Sequence, residues 1–283
     1  MRVKHTIAVL LTVHNRKEKT LLCLQNLYAQ EIPEGYSFDV FMTNDGCSDG
    51  TPDTVRQHYP SVKIIDGDGN LFWNRGMHRA WTVAAETNDY DFYLWLNDDT
   101  FIVKQALKRL FSESTRRGDT SIIVGSTHAT NNHSRVTYGG RSIKDGLISD
   151  IGESLPCDMF NGNIILIPKI VYKTIGMNDP VFHHCLGDFD YGLRATKFGF
   201  INYIAPGFYG VCDLHDDMPK WANPNLPLKE RWRSFFSPSG ANPFEFFRYK
   251  KRHFGLIPAI IIFISNFTHV LIPILWAKNE HSK

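Results

Sequence analysis

Tyr93-Leu94-Trp95-Leu96-Asn97-Asp98-Asp99-Thr100 is an apolar run that ends in two adjacent carboxylates. Large apolar residues in unbroken succession, without polar alternation, read as a strand buried on both faces of a parallel sheet. The carboxylates at its end repel each other, and a divalent cation such as Mg²⁺ or Mn²⁺, which favours oxygen ligands, would neutralise both. A metal at a strand end points to chemistry on a phosphate-bearing substrate. The competing role for Asp98 or Asp99 is to cap a helix beginning near Val103, which aspartate does well.

Outward from this strand, apolar and helical segments alternate. Thr6 to Val13 is a continuous β-branched and leucine run ending in His14-Asn15-Arg16, as a central strand would. Lys17 to Gln30 carries Leu21, Leu22, Leu24, Leu27 and Tyr28 at helical spacing, until Pro33-Glu34-Gly35 breaks the chain. Strands are predicted at Phe38–Met42 and Val62–Ile65, and a helix over Arg75–Thr87. Beyond the opening stretch come a helix over Val103–Arg116, a strand over Ser121–Val124, hairpins or loops across 131–150, a strand at Ile164–Ile167 and a helix at Gly187–Phe198. This rhythm predicts an α/β fold with a mostly parallel central sheet, helices on both faces, and ligand groups at the carboxyl ends of the strands. Polar clusters close four apolar segments: His14-Asn15-Arg16, Asn44-Asp45, Asn97-Asp98-Asp99 and Gly187-Asp188-Phe189-Asp190. In a parallel sheet such ends converge on one pocket.

With 283 residues, 43% of them hydrophobic, the chain supplies one large α/β domain or a domain with an appendage. Its 31 basic and 29 acidic residues leave a formal charge of +2, which removes any general electrostatic case for nucleic acid. Cys23, Cys47, Cys157, Cys185 and Cys212 are scattered and form no CxxC pair, arguing against a disulfide framework and a structural zinc site and for a reducing compartment. The apolar start is too short for a signal peptide and has no small-residue cleavage site. The catalytic part is therefore expected in the cytoplasm. Gly67-Asp68-Gly69 hints at a dinucleotide fingerprint, but Phe72 stands where its third glycine belongs.

Near Pro219 the composition shifts to a proline-punctuated segment rich in Trp, Phe, Arg and Lys. Residues 255–277 are apolar over about the length needed to cross a bilayer, interrupted by Pro258, Ser265, Asn266, Thr268, His269 and Pro273. Phe246-Phe247-Arg248-Tyr249-Lys250-Lys251-Arg252-His253-Phe254, just before, is a basic and aromatic stretch suited to anionic headgroups. The expectation is membrane association by this tail; the competing one is a helical hairpin packed on the domain or on a second subunit.

On these motifs the chain resembles the family 2 glycosyltransferases of the GT-A fold, inverting enzymes with nucleotide-sugar donors, among them the rhamnosyltransferase-like enzymes of bacterial surface glycans. The resemblance covers most of residues 5–215. Thr12-Val13-His14-Asn15-Arg16 is similar to the family's opening Thr-x-x-Asn-like turn, and Asn44-Asp45-Gly46-Cys47-Ser48-Asp49-Gly50-Thr51 to its Asp-Asp-Gly-Ser-x-Asp-like loop. Gly69 to Gly76 resembles the stretch that follows, and Asn97-Asp98-Asp99 the Asp-x-Asp element. The resemblance implies a GT-A domain over 1–215, and the composition beyond it marks an aromatic and basic, acceptor-side and membrane-proximal segment over 216–254 and a hydrophobic C-terminal helix or hairpin over 255–277.

Carried over, the resemblance implies that Thr12, His14 and Asn15 line the base pocket, that Asp45 hydrogen-bonds the base, and that Arg16, Asn74 and Arg75 also contact the donor. Asp99 would bind the metal together with His215, with Asp98 beside it on the ribose or sugar. Asn97 departs from the commoner first Asp of that element. The family's Glu-Asp pair becomes Gly187-Asp188, leaving Asp188 as the base; Asp190 and Arg194 follow on the acceptor side, where Asn161 and Gly162 would shape the pocket. Trp73, Phe160, Trp221 and Trp232 offer faces on which a pyranose stacks.

The implied function is transfer of a sugar to a glycan or lipid-linked saccharide in surface polysaccharide synthesis, at the cytoplasmic face of the bacterial inner membrane, with a divalent cation and without nucleic acid as a partner; a homo-oligomer stays open. Two other readings stand beside it. A sugar nucleotidyltransferase would want a glycine-rich loop after the first strand, and Thr12 to Lys19 has no glycine. A catalytically silent, membrane-tethered glycan-binding or scaffold protein is motivated by Asn97 and Gly187.

Overall fold

The computed structural model describes residues 5–214 and 218–274. Strand and helix alternate through β1 (His5–Val13), α1 (Lys17–Tyr28), β2 (Tyr36–Asn44), α2 (Thr51–His58), β3 (Lys63–Asp66), α3 (Phe72–Thr87) and β4 (Phe92–Leu96). There follow β5 (Phe101–Ile102), α4 (Ala106–Arg116), β6 (Ile122–Ala129), β7 (Asn132–Tyr138), β8 (Gly140–Ser142), β9 (Gly146–Leu147), β10 (Leu155–Cys157) and β11 (Met159–Phe160). β12 (Ile164–Pro168), α5 (Lys169–Ile175), α6 (Gly187–Lys197) and β13 (Asn202–Val211) complete the α/β part, and α7 (Leu228–Phe235), α8 (Pro243–Phe254) and α9 (Leu256–Leu271) make the tail.

The central sheet has the strand order β10-β13-β6-β12-β4-β1-β2-β3. β1 pairs in parallel with β2 and β4, β2 with β3, and β6 with β13. β12 enters antiparallel between β4 and β6. The result is a mixed, mostly parallel α/β sheet, as the GT-A resemblance implies.

Burial on both faces explains the unbroken apolar runs. In β1, Ile7, Val9, Leu11 and Val13 join one core while Ala8 and Leu10 join the other; β4 divides Phe92, Leu94 and Leu96 from Tyr93 and Trp95 in the same way. None of these is more than 2% exposed. Each large apolar side chain buried so completely stabilises the fold by about 1.5–3 kcal/mol, and a charge at Leu94 would meet no partner.

Some elements differ from the sequence expectations for identifiable reasons. β13 goes unrecognised in the sequence because Pro206-Gly207 breaks its pattern, and the strand absorbs the break as register shifts against β6 between Ile204 and Gly210. The helix expected from Val103 starts at Ala106, since Phe101–Ile102 pair with β13 and Gln105 turns the chain at φ 65°. Its cap is therefore Gln105, and neither Asp98 nor Asp99 caps it. Gly187-Asp188 opens α6 instead of closing a strand.

In the tail, α8 and α9 pack against each other. Phe263 of α9 meets Phe244 and Phe247 of α8, and Phe267 meets Trp232, Phe235 and Phe236. α9 is 16 residues long, and no helix among the described residues is long and apolar enough to cross a membrane. Residues 275–277 of the expected apolar segment lie outside the described residues. On the other side of α8, Tyr249 packs with Phe182, Leu186 and Leu193, so the tail's core runs into that of the α/β part.

Candidate active site

A crevice of about 730 Å³ opens at the carboxyl ends of β1 and β4. Thr12, His14, Arg16, Asp45, Asn97, Asp98, Asp99, Asn161, Gly162 and Asp188 all line it, brought together from segments far apart in the chain. On its β2 side, Asp45 is 3% exposed and spends its carboxylate on the loop before α3. Oδ1 accepts the N–H groups of Gly69 (2.9 Å) and Leu71 (3.2 Å), and Oδ2 that of Phe72 (2.8 Å). His14 donates from Nδ1 to the Asp45 carbonyl at 2.6 Å.

At the end of β4, Asp98 and Asp99 are buried, and Arg16 reaches across to both. Its Nη1 lies 3.3 Å from Asp98 Oδ1 and 2.6 Å from Asp99 Oδ2. Arg16 gets there because Asn15 takes a left-handed turn at φ 49°, held by the Ser48 N–H and hydroxyl on its Oδ1. Burial pushes the Asp98 carboxyl up to about 7, against the pull of Arg16 and with the push of Asp99. Thr20 donates to Asp98 Oδ2, and the Cys212 thiol, which burial raises to about 12, lies 3.8 Å from Asp99 Oδ1. Asn97 accepts the Trp73 indole N–H at 2.7 Å, so an uncharged amide here fixes that ring without adding a third negative charge.

Asp188 stands in the first turn of α6, partly buried. Oδ2 accepts the Gly162 N–H at 3.0 Å and Oδ1 the Phe189 N–H at 2.9 Å. Burial still dominates and raises its carboxyl to about 6. Gly162 must be glycine, because a Cβ there would run into the Trp73 ring. Gly187 has a similar cause: a Cβ would overlap the Asn74 side-chain oxygen, which leaves no room for the glutamate common at this place. Beside Gly162, the Asn161 side-chain oxygen is buried with no hydrogen-bond partner among the described residues.

Other residues singled out in the sequence fall outside the crevice lining. Asn15 props the Ser48 loop. Asn74 is fully buried and donates to the Asp179 and Phe182 carbonyls, while Arg75 donates to that of Pro180. Asp190, fully buried, is bonded by Arg194, Arg252 and His253. Arg194 also holds the Ile175 and Met177 carbonyls. These residues hold the 175–186 segment against α3, α6 and α8. His215 lies outside the described residues. Of the aromatic residues proposed to stack on sugars, Trp73 lines the crevice, Phe160 is core, and Trp221 and Trp232 belong to the tail.

Sequence reasoning missed one wall altogether. His184, Cys185 and Leu186, just ahead of Asp188, line the crevice, as does Phe246 from α8. Glu245, next to Phe246, accepts the His183 N–H at 3.1 Å and pairs with His183 Nδ1 at 2.5 Å. Position directly before Gly187-Asp188 could have flagged the first three; nothing local marks Phe246.

A mostly parallel sheet with paired carboxylates at one strand end and a lone one across the crevice is the arrangement expected of a glycosyltransferase of the GT-A fold. The family model for glycosyl transferase family 2 matches residues 8–177, and the chain belongs to that family. Among solved structures it is similar to S. aureus TarS, at 15% identity and TM-score 0.54, over 86% of this chain and 45% of that one. It thus spans less than half of that TarS chain. Against TarS 1–349 the identity is 15% and the TM-score 0.54, covering 95% of this chain and 81% of the other. Against TarS 1–349 in complex with UDP the values are 13% and 0.55, covering 88% and 72%. At such identities the likeness is one of fold. No curated protein matches the chain in sequence.

Proposed function

We propose that this glycosyltransferase is inverting and moves a sugar, hexosyl or deoxyhexosyl, from a nucleoside-diphosphate donor to a saccharide or lipid-linked saccharide in surface polysaccharide synthesis. One observation carries the reading: a single crevice holds the Asp98–Asp99 pair and, separately, Asp188 with its carboxyl raised to about 6. A sugar hydroxyl needs a base to take its proton as the anomeric carbon gains oxocarbenium character. Asp188 is that base, ionised at neutral pH yet basic enough to accept the proton. A hydroxyl that donated to the partnerless Asn161 oxygen would sit beside Gly162, whose N–H holds Asp188. Asp190, with its carboxylate committed to Arg194, Arg252 and His253, is unavailable as a second nucleophile, which favours single displacement and inversion.

The donor set fits a divalent cation, Mg²⁺ or Mn²⁺. Among the described residues no three His, Cys, Asp or Glu side chains gather into a metal cage. Asp98 and Asp99 nonetheless offer hard oxygens, and the Arg16 nitrogen already stands between them as a cation. An ion that takes one or two carboxylates and completes its shell with phosphate and water needs no cage. Asp99 would hold it, and it would neutralise the charge developing on the leaving diphosphate. The UDP complex of TarS makes UDP the first nucleotide to try. The test is a thermal-shift panel of nucleotide sugars with and without Mn²⁺ on wild type and Asp99→Ala. Metal-dependent stabilisation by one donor, lost in the variant, is expected; no stabilisation by any donor would favour the silent scaffold.

The tail favours work at a membrane surface, on its cytoplasmic side. Ile257, Ile260, Ile261 and Ile264 make an exposed apolar stripe on α9, and the exposed Arg248 and Lys251 lie on the neighbouring α8. Such a helix lies in the headgroup region when anionic lipid attracts its basic partner. Flotation with vesicles containing phosphatidylglycerol should carry the protein, and Ile261→Glu with Ile264→Glu should release it; concentration-dependent self-association abolished by the same substitutions would instead assign the stripe to a second copy.

A further inference from the structure

We propose that Arg16 is the resident cation of the crevice, a positioning residue that offsets part of the charge of Asp98 and Asp99 before the donor binds and gives them up when a divalent ion enters with the donor diphosphate. The inference rests on the donor-site reading above.

Asp98 and Asp99 are 5% and 8% exposed, and two adjacent carboxylates so poor in water need a counter-charge. Arg16 supplies it from one nitrogen shared between them, at 3.3 and 2.6 Å. That nitrogen stands where a cation bridging the two carboxylates would be drawn. The Arg16 side chain is 41% exposed, so it has open space to swing into, unlike the buried Arg231 and Asp190-bound Arg194. It is also the one Lys or Arg among the described residues that line the crevice.

A diphosphate arriving here brings negative charge and meets Arg16 as the cation lining the crevice. Guanidinium binds phosphate through paired N–H groups, a better match than one nitrogen split between two carboxylates. With the guanidinium on the diphosphate, Asp99 is open to an ion that the phosphates also bind. Metal alone must displace Arg16 with nothing offered to the guanidinium in return; metal with diphosphate gives both cations an anion. The two ligands should therefore bind interdependently, each raising the affinity of the other by one common factor.

The experiment is Mn²⁺ titration of the full chain, followed by the electron paramagnetic resonance of free Mn²⁺, with and without UDP and with Mn²⁺ binding by UDP itself subtracted. Wild type, Arg16→Met, Arg16→Gln and Arg16→Lys are compared after thermal melts confirm folding. In wild type, UDP is expected to raise Mn²⁺ affinity about tenfold or more, within the usual range of coupling. Arg16→Met and Arg16→Gln are expected to bind Mn²⁺ without UDP about tenfold more tightly than wild type, with the coupling largely gone. Arg16→Lys, which keeps the charge but not the paired N–H groups, should bind Mn²⁺ without UDP no more tightly than wild type and show a smaller coupling to UDP. Neutral variants that bind Mn²⁺ no better than wild type, or no Mn²⁺ binding by any form, would overturn the proposal. If UDP binds no form while the neutral variants gain Mn²⁺ affinity, Arg16 keeps its role and the nucleotide-donor reading falls.

Discussion

Asp188→Asn is expected to make the protein more stable at pH 7.5 while abolishing sugar transfer. Burial raises the Asp188 carboxyl from 3.8 to about 6, so the folded protein holds that proton more tightly than the unfolded chain does. Such a group supports the fold fully below the unfolded value, and the support is lost as pH rises through about 6. A rise of about 2 units makes the ionised carboxylate cost the fold about 3 kcal/mol at pH 7.5. Asparagine never ionises and escapes that cost. The Gly162 N–H on one oxygen and the Phe189 N–H on the other hold the carboxylate, but they only reduce the rise and are already within it. An amide and a protonated carboxyl each offer one carbonyl oxygen, so the exchange is close to neutral where the wild-type group is protonated. The net effect is about 3 kcal/mol of stabilisation at pH 7.5, falling toward zero near pH 4. In a chain of this length the gain at pH 7.5 corresponds to a Tm higher by about 5 °C. Asp98 titrates alike in both proteins and drops out of the difference. Thermal or urea unfolding at the two pH values, beside a transfer assay, reads the pH dependence of the gain. A variant destabilised equally at both would refute the reasoning.

Gly162→Ala would drive a methyl group into the Trp73 ring and disturb both that ring's bond to Asn97 and the Gly162 N–H on Asp188. Overpacking of this kind costs about 1–3 kcal/mol, read as a lower urea midpoint; an unchanged midpoint would mean that the ring yields freely. With donor saturating, the transfer rate should fall about tenfold per pH unit below about 6 as Asp188 takes up its proton. A rate that stays flat down to pH 5 would remove Asp188 as the base. Asp190→Asn leaves Arg194, Arg252 and His253 without their shared carboxylate and should cost about 3 kcal/mol in urea unfolding; wild-type stability would mean that these groups find water instead.

The parts of this molecule legible in the sequence are those written as local pattern. β1 and β4 announce themselves because burial on both faces demands an unbroken apolar run, and Asn97-Asp98-Asp99 follows directly from the second of them. β13 hides because Pro206-Gly207 spoils its pattern, and only pairing with β6 makes it a strand. At the site, Thr12, His14, Arg16, Asp98, Asp99 and Asp188 could be picked out as polar residues closing apolar segments or opening a helix. Asn74, Asp190 and Arg194 could be picked out too, but not the direction they face. A polar side chain near a motif reads alike whether it meets a ligand or ties down a loop, and their bonds to the 175–186 segment and to α8 span distances in sequence that no pattern records. Phe246 is harder still, since its neighbours read as a surface for headgroups.

Phe246 lines the crevice, Glu245 grips His183, and Arg252 and His253 close on Asp190. Exchange of this tail between related transferases would therefore import a foreign wall into the crevice. Trimming the chain before Pro243, a natural step for anyone wanting a smaller and better-behaved protein, would leave that chamber open on one side. Inheritance is constrained in the same way: a substitution selected in α8 for its contacts outside the crevice is also tested on what the crevice accepts.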